Sequence, residues 1–286
     1  MKRALAFVLA ICLLAPAQLA LASESGRERA VIGADLSGEQ VDYVYSVFGV
    51  ERGSVRELTV TNADEREYLE GLVDEDVIGT NSISCAYIEL LGEGEGLDVR
   101  AENINWCTRE MYVSALATAG ITDARIVVAA PFAVSGTAAL TGIYLAYEDM
   151  TGEELDEAAK RVGTQELTVT ASLADQLGSS DTVEIINELK LLLDETRNMD
   201  DAELRAEIGR IAGEVGVELN DSQIGQLVTL CRALEKLNAD TLREKVESVQ
   251  ETLRGLGAKL ERASGFFESV KGVINSVIDF FKNLFA

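Results

Sequence analysis

Arg125-Ile126-Val127-Val128-Ala129-Ala130, then Pro131, then Ser135-Gly136-Thr137-Ala138 is the stretch that decides the fold. The first six residues read as a strand, because β-branched and small apolar residues suit a buried pleat. Ser135 or Thr137 then caps a helix running to about Met150. Working outward towards the N-terminus, the same grammar recurs. Ser37 caps a helix, Gln40 completes the capping box, Leu36 staples against Val41, and Gly49 ends it. Val55 to Val60 is a strand, and Asn62-Ala63-Asp64-Glu65 opens a short helix that stops near Gly71. Ile83 to Leu91 and Leu97 to Ile104 are two strands, which the glycine-rich run Gly92 to Gly96 is expected to join as a hairpin. Thr108 starts a further helix ending at Gly120. The order α-β-α-β-β-α-β-α predicts a mixed sheet with helices packed on it, its strand order left open.

Past Thr151 the character changes. Another helix follows, then a strand-like stretch from Glu166 to Thr170. From Asp181 onward the pattern is helical, with caps at Asp200 and Asn220. The fold class is therefore α+β: an N-terminal mixed α/β-sheet domain, then an all-helical C-terminal region with a coiled-coil-like amphipathic end. The expected division is a signal peptide over 1–22, the mixed domain over 23–170 and the helical region over 171–286, its amphipathic helix over 240–285.

The first 22 residues carry an export signal in the right order: Lys2 and Arg3, the apolar run Ala4 to Leu14, then Ala20-Leu21-Ala22. Cleavage is expected after Ala22, which places the protein outside the cytoplasm, secreted or at the cell envelope. The chain has 25 basic and 49 acidic residues, a net charge of −24. So acidic a surface repels phosphate backbones, and no nucleic-acid partner is expected. Histidine is absent, and no lysine occurs between Lys2 and Lys160. Those gaps remove the usual general base, the usual zinc ligand and every Ser-His or Cys-His pair, which argues against common hydrolytic enzymes. Outside the cytoplasm thiols tend to pair, so a Cys85–Cys107 disulfide is expected, with Cys231 left reduced on a helical stripe.

Ser135-Gly136-Thr137 is the candidate ligand-binding turn, since a strand-to-helix turn directs backbone N–H groups outward and can hold a small ligand or anion. It lacks the lysine and the longer glycine frame of a phosphate loop. Asp74-Glu75-Asp76 opens like a calcium loop, but Ile78 and Cys85 fall where oxygen ligands are needed. Neither a metal nor a cofactor is implied, and no catalytic residue stands out.

Val128 to Gly142, followed by Ala146-Tyr147-Glu148, resembles the YpuA-like family of secreted bacterial proteins, a domain of unknown function. Asn103-Ile104-Asn105-Trp106, Ile32 to Leu36, Thr59 to Asn62, Ile78-Gly79-Thr80 and Met111-Tyr112 carry the same resemblance across the mature chain. It implies export and a mixed domain followed by helices, and it brings no activity, cofactor or catalytic residue.

At the C-terminus, Phe267, Val270, Ile274, Val277, Phe281 and Leu284 repeat at spacings of three and four, an apolar face that wants a partner. The leading expectation is a non-enzymatic interaction or envelope protein that associates with itself or a protein partner through this helix. The alternatives are a ligand-binding or enzymatic domain using the Ser135 turn, and a peripheral protein held on a membrane surface by the tail.

Overall fold

A computed structural model describes residues 26–249, apart from 74, 179 and 180. Strand β1 (Glu28–Gly33) pairs in parallel with β2 (Arg56–Val60) and antiparallel with β3 (Cys85–Leu90). Strand β5 (Ala124–Val134) pairs antiparallel with β3 and parallel with β4 (Leu97–Ile104). The sheet order is β2-β1-β3-β5-β4, so the central strand β3 runs against the other four. The sequence reading missed β1 altogether, and the glycine run after β3 does not close a hairpin. Strand β5 lies between β3 and β4 and takes the hydrogen bonds that a hairpin would have used.

Alternation along the strands sorts side chains onto two faces. Ala30, Ile32, Cys85, Tyr87, Val127 and Ala129 face Val41, Val44, Tyr45 and Phe48 of helix α1 (Gly38–Phe48). This helix has the expected Ser37–Gln40 capping box. On the other face Val31 meets helix α5 (Thr137–Thr151), whose Gly142 lets it lie close: a Cβ there would stand 2.8 Å from Val31 Cγ1. Between these elements run α2 (Asn62–Leu69), the single turn α3 (Glu75–Ile78) and α4 (Arg109–Ala119).

Helix α6 (Glu157–Leu177) packs along α4 and runs unbroken through residue 170. Glu166 to Thr170 is therefore helical rather than strand-like. Its threonines find helical partners: the Thr164, Thr168 and Thr170 hydroxyls donate to the carbonyls of Lys160, Thr164 and Glu166, four residues back. Tertiary burial of this helix overrides the β-branched composition. Helices α7 (Thr182–Leu191), α8 (Leu193–Thr196), α9 (Asp201–Val215) and α10 (Asp221–Leu234) complete the helical part, with a further helix over 239–249. Leu173, Ile186, Leu204, Ile208, Leu227 and Leu230 form part of its core. The expected caps at Asp200 and Asn220 both form capping boxes.

A polar cluster is sealed where α4, α6 and α7 meet. Lys190 Nζ donates to Glu166 Oε1 (2.6 Å), Ser114 Oγ (2.9 Å) and the Ser114 carbonyl (3.0 Å). Thr118 Oγ1 donates to Glu166 Oε2 at 2.6 Å, and Ser114 Oγ lies 2.9 Å from Asn187 Oδ1. All three ammonium hydrogens and both carboxylate oxygens are thus engaged.

None of the helices among the described residues is long and apolar enough to cross a membrane. The C-terminal face from Phe267 to Leu284 and the signal segment lie outside the described residues.

Candidate functional site

Four strands end at one edge of the sheet, and β3 begins there. In open sheets built from βαβ units, ligands settle in the crevice beyond the strand carboxyl ends. A pocket of about 360 Å³ occupies that position, lined by Glu65, Val77, Ser84, Trp106, Ser135 and Thr137 among others.

A bulge aims the last strand into it. Register slips between β4 and β5 so that Glu102 faces Ala129 but Ile104 faces Val134, with Pro131 inside the excursion where a missing N–H costs no ladder bond. Asn103 takes the left-handed conformation (φ 58°) and its amide donates to the Ala130 carbonyl at 2.9 Å. Beyond the bulge Asn105 N bonds to the Val134 carbonyl and Cys107 N to the Ser135 carbonyl, which fixes the turn.

The turn itself departs from the expectation. Neither Ser135 nor Thr137 caps helix α5. Gly136 is the N-cap, with φ 99° and no side-chain cap bond. Its carbonyl accepts from Tyr112 Oη at 2.6 Å, and a Cβ at this position would lie 2.4 Å from that oxygen. Freed from capping, the two hydroxyls bond each other at 3.2 Å; Ser135 Oγ also reaches the Val77 carbonyl, and Thr137 Oγ1 donates to Glu65 Oε1.

Glu65 is the residue that sequence reasoning missed. It sits one turn into α2, whose Thr61–Asp64 capping box leaves Glu65 and Leu69 on the buried side. The side chain is 1% exposed, and its Oε2 has no hydrogen-bond partner among the described residues. Burial raises its pKa to about 7, against the lowering pull of the Thr137 hydroxyl, the Arg66 charge and the nearby Asn62 amide. Arg66 is itself committed elsewhere: it donates to Glu75 Oε2 (2.8 Å), the Gly79 carbonyl (3.0 Å) and Asn62 Oδ1 (2.9 Å), which pins α3 and its Val77 as a pocket wall.

Cys85, Cys107 and Cys231 are all buried free thiols. The expected Cys85–Cys107 bridge is absent because the two face different neighbours. Cys85 Sγ accepts from Gly33 N under α1, whereas Cys107 lies beside Tyr112. Burial pushes the Cys85 thiol up to about 12 and Cys231 to about 11, which keeps both protonated and unreactive. Among the described residues no group of three His, Cys, Asp or Glu is placed to hold a metal. The Ser114–Lys190 contact has the distance of a nucleophile–base pair, but Lys190 is 1% exposed and its hydrogens are all used, so it is a structural cluster.

With this geometry in place, comparison with known proteins gives one decisive match. The profile of the family described as "Protein of unknown function (DUF1002)" matches residues 32–252. The chain belongs to this family. It is also similar to the "Uncharacterized protein YpuA" of Bacillus subtilis (strain 168), 36% identical over 256 residues that cover 88% of this chain and 85% of that protein. No solved structure matches it. The matched span of the DUF1002 family contains all of β2 to β5, so the pocket edge, from Glu65 to Thr137, falls within it.

Proposed function

We propose that this DUF1002 protein is an exported, non-enzymatic ligand-binding protein whose site is the pocket at the carboxyl edge of the sheet. The observation that carries the reading is Glu65, a carboxyl group that lines the pocket and whose buried Oε2 has no partner among the described residues. Leaving such an acceptor unmet costs on the order of 1–3 kcal/mol, which a bound donor recovers. Ser135 and Thr137, released from helix capping, extend that acceptor into a row of polar groups. Binding is favoured over turnover because Glu65 is the one carboxyl group among the described lining residues, and the Ser135 hydroxyl neighbours a hydroxyl and a carbonyl rather than a base. Export is supported by the Lys2-Arg3, Ala4 to Leu14 and Ala20-Leu21-Ala22 order; N-terminal sequencing of protein from the medium or envelope should begin at Ser23.

Trp106 is the only tryptophan in the chain and lines the pocket, so its emission reports on this region of the molecule. A small-molecule screen read by Trp106 emission, with thermal stabilisation as the second readout, tests the reading. A binder should move both signals, and Ser135→Ala with Thr137→Val should remove them. Binders that act equally on the parent and the double variant would place the site elsewhere.

A further inference from the structure

The pocket at Glu65 does not end at Trp106. A second cleft of about 290 Å³ shares Val77 and Trp106 with it and continues along α6 and α10 past Thr168, Ser172 and Gln226. A third, of about 260 Å³, shares Asn105 and Trp106 and runs past Thr108 and Asp175. All three meet at the half-buried indole, so together they form a branched groove centred on one aromatic ring. Its chemistry narrows the occupant. Among the described lining residues of the first pocket there is no lysine or arginine, and its only charge-bearing group is a carboxyl, which disfavours an anion. An ammonium group brings donors alone and would leave the donor halves of the exposed Asn81 and Asn105 amides unmatched. A hydroxyl both donates and accepts, and so matches amides, serine hydroxyls and the lone Glu65 oxygen together. A ring with one apolar face stacks on an indole.

We infer that the groove binds a neutral saccharide of more than one ring, with one ring on Trp106 and one hydroxyl donated to Glu65 Oε2. This rests on the ligand-binding reading above and specifies its ligand class. Two independent features point the same way: an unmet buried acceptor beside mixed donor–acceptor side chains, and the extension of the cavity past the aromatic ring on two sides.

The test uses the full mature chain and calorimetry alongside Trp106 emission. The probes are chitotriose, cellotriose and maltotriose, their monosaccharides, spermidine and inorganic phosphate. At least one trisaccharide should bind saturably, about tenfold or more tighter than its own monosaccharide. Glu65→Gln should weaken that binding about tenfold or more, the loss expected when a charge-assisted hydrogen bond is removed. Trp106→Leu, followed by calorimetry, should weaken it comparably; both variants are checked for parental circular dichroism and cooperative unfolding. Should Glu65→Gln fail to fold, Asn105→Ala, on the exposed rim, replaces it with the same expected direction. Spermidine or phosphate quenching Trp106 while every saccharide fails would overturn the saccharide class and leave the site standing. Saccharide binding that is unchanged in the Ser135→Ala, Thr137→Val protein would overturn the site itself. If none of the saccharides binds, the inference is wrong.

Discussion

Replacing Lys190 by methionine should be among the most damaging single changes in the helical half. The residue is 1% exposed, and its ammonium makes three hydrogen bonds, to Glu166, the Ser114 hydroxyl and the Ser114 carbonyl. Burial lowers its pKa, while the Glu166 charge and hydrogen bond oppose the shift. Methionine fills the stem's volume but removes the charge, which leaves Glu166 buried with only the Ser114 and Thr118 hydroxyls as donors. Breaking one side of a buried pair costs about 3–5 kcal/mol. For a unit of this size each kcal/mol moves Tm by roughly 2–4 °C, so the expected loss is about 6–20 °C. Converting both partners, as in Lys190→Met with Glu166→Gln, removes the orphaned charge and should cost less than Lys190→Met alone. Urea unfolding followed by circular dichroism supplies all the free energies of the double-mutant cycle. Additive costs, or a Lys190→Met loss below about 1 kcal/mol, the level of an exposed pair, would refute the reasoning.

Further outcomes follow from the pocket and the tail. Because Glu65 is raised from 4.5 to about 7 in the folded state, its contribution is greatest below pH 4.5 and is lost as pH rises through 7. Around it stand Arg66, already paired with Glu75, and the neutral Tyr112 and Cys107, both pushed upward by burial. Glu65→Gln should therefore flatten the unliganded stability profile between pH 4.5 and 7, by up to about 3 kcal/mol, as urea titrations at stepped pH would read. Gly136→Ala should destabilise by about 1–3 kcal/mol more than Gly152→Ala: both positions have positive φ, but only at Gly136 does the new Cβ meet Tyr112 Oη and Ile104. Phe267→Asp with Phe281→Asp should abolish self-association in light scattering, or vesicle binding if the tail favours lipid; a parent that shows neither property would remove the interaction role of this face.

What the sequence made legible was local. Ser37 with Gln40 and Asn220 with Gln223 closed their capping boxes because a cap needs only residues three apart. Strand β4 was readable to the residue for a similar reason, as its alternation is intrinsic. What stayed hidden depends on partners far along the chain. Nothing within residues 83–104 announces that β5 will come between two strands that a glycine run connects. The Thr168-Val169-Thr170 run looks β-forming until the buried helix gives each hydroxyl a carbonyl one turn back. Glu65 was indistinguishable among 49 acidic residues, since its isolation arises only when α2, the Ser135 turn and α3 close around it. The Ser135 turn was legible as a candidate ligand-binding turn; only its helix cap was misassigned, because Gly136 rather than Ser135 or Thr137 takes that position.

The position of β5 also sets an order of events. Of the described strands it is the last to leave the ribosome, yet it sits between β3 and β4, so residues 26–123 alone cannot assemble the native sheet. Strand β4 has no neighbour until β5 arrives, and β3 has only β1. Loop closure over such separations is slow compared with helix formation. A chain with this topology cannot complete its sheet until residue 134 has been made, so the whole span from β1 to β5 must be available before the sheet closes.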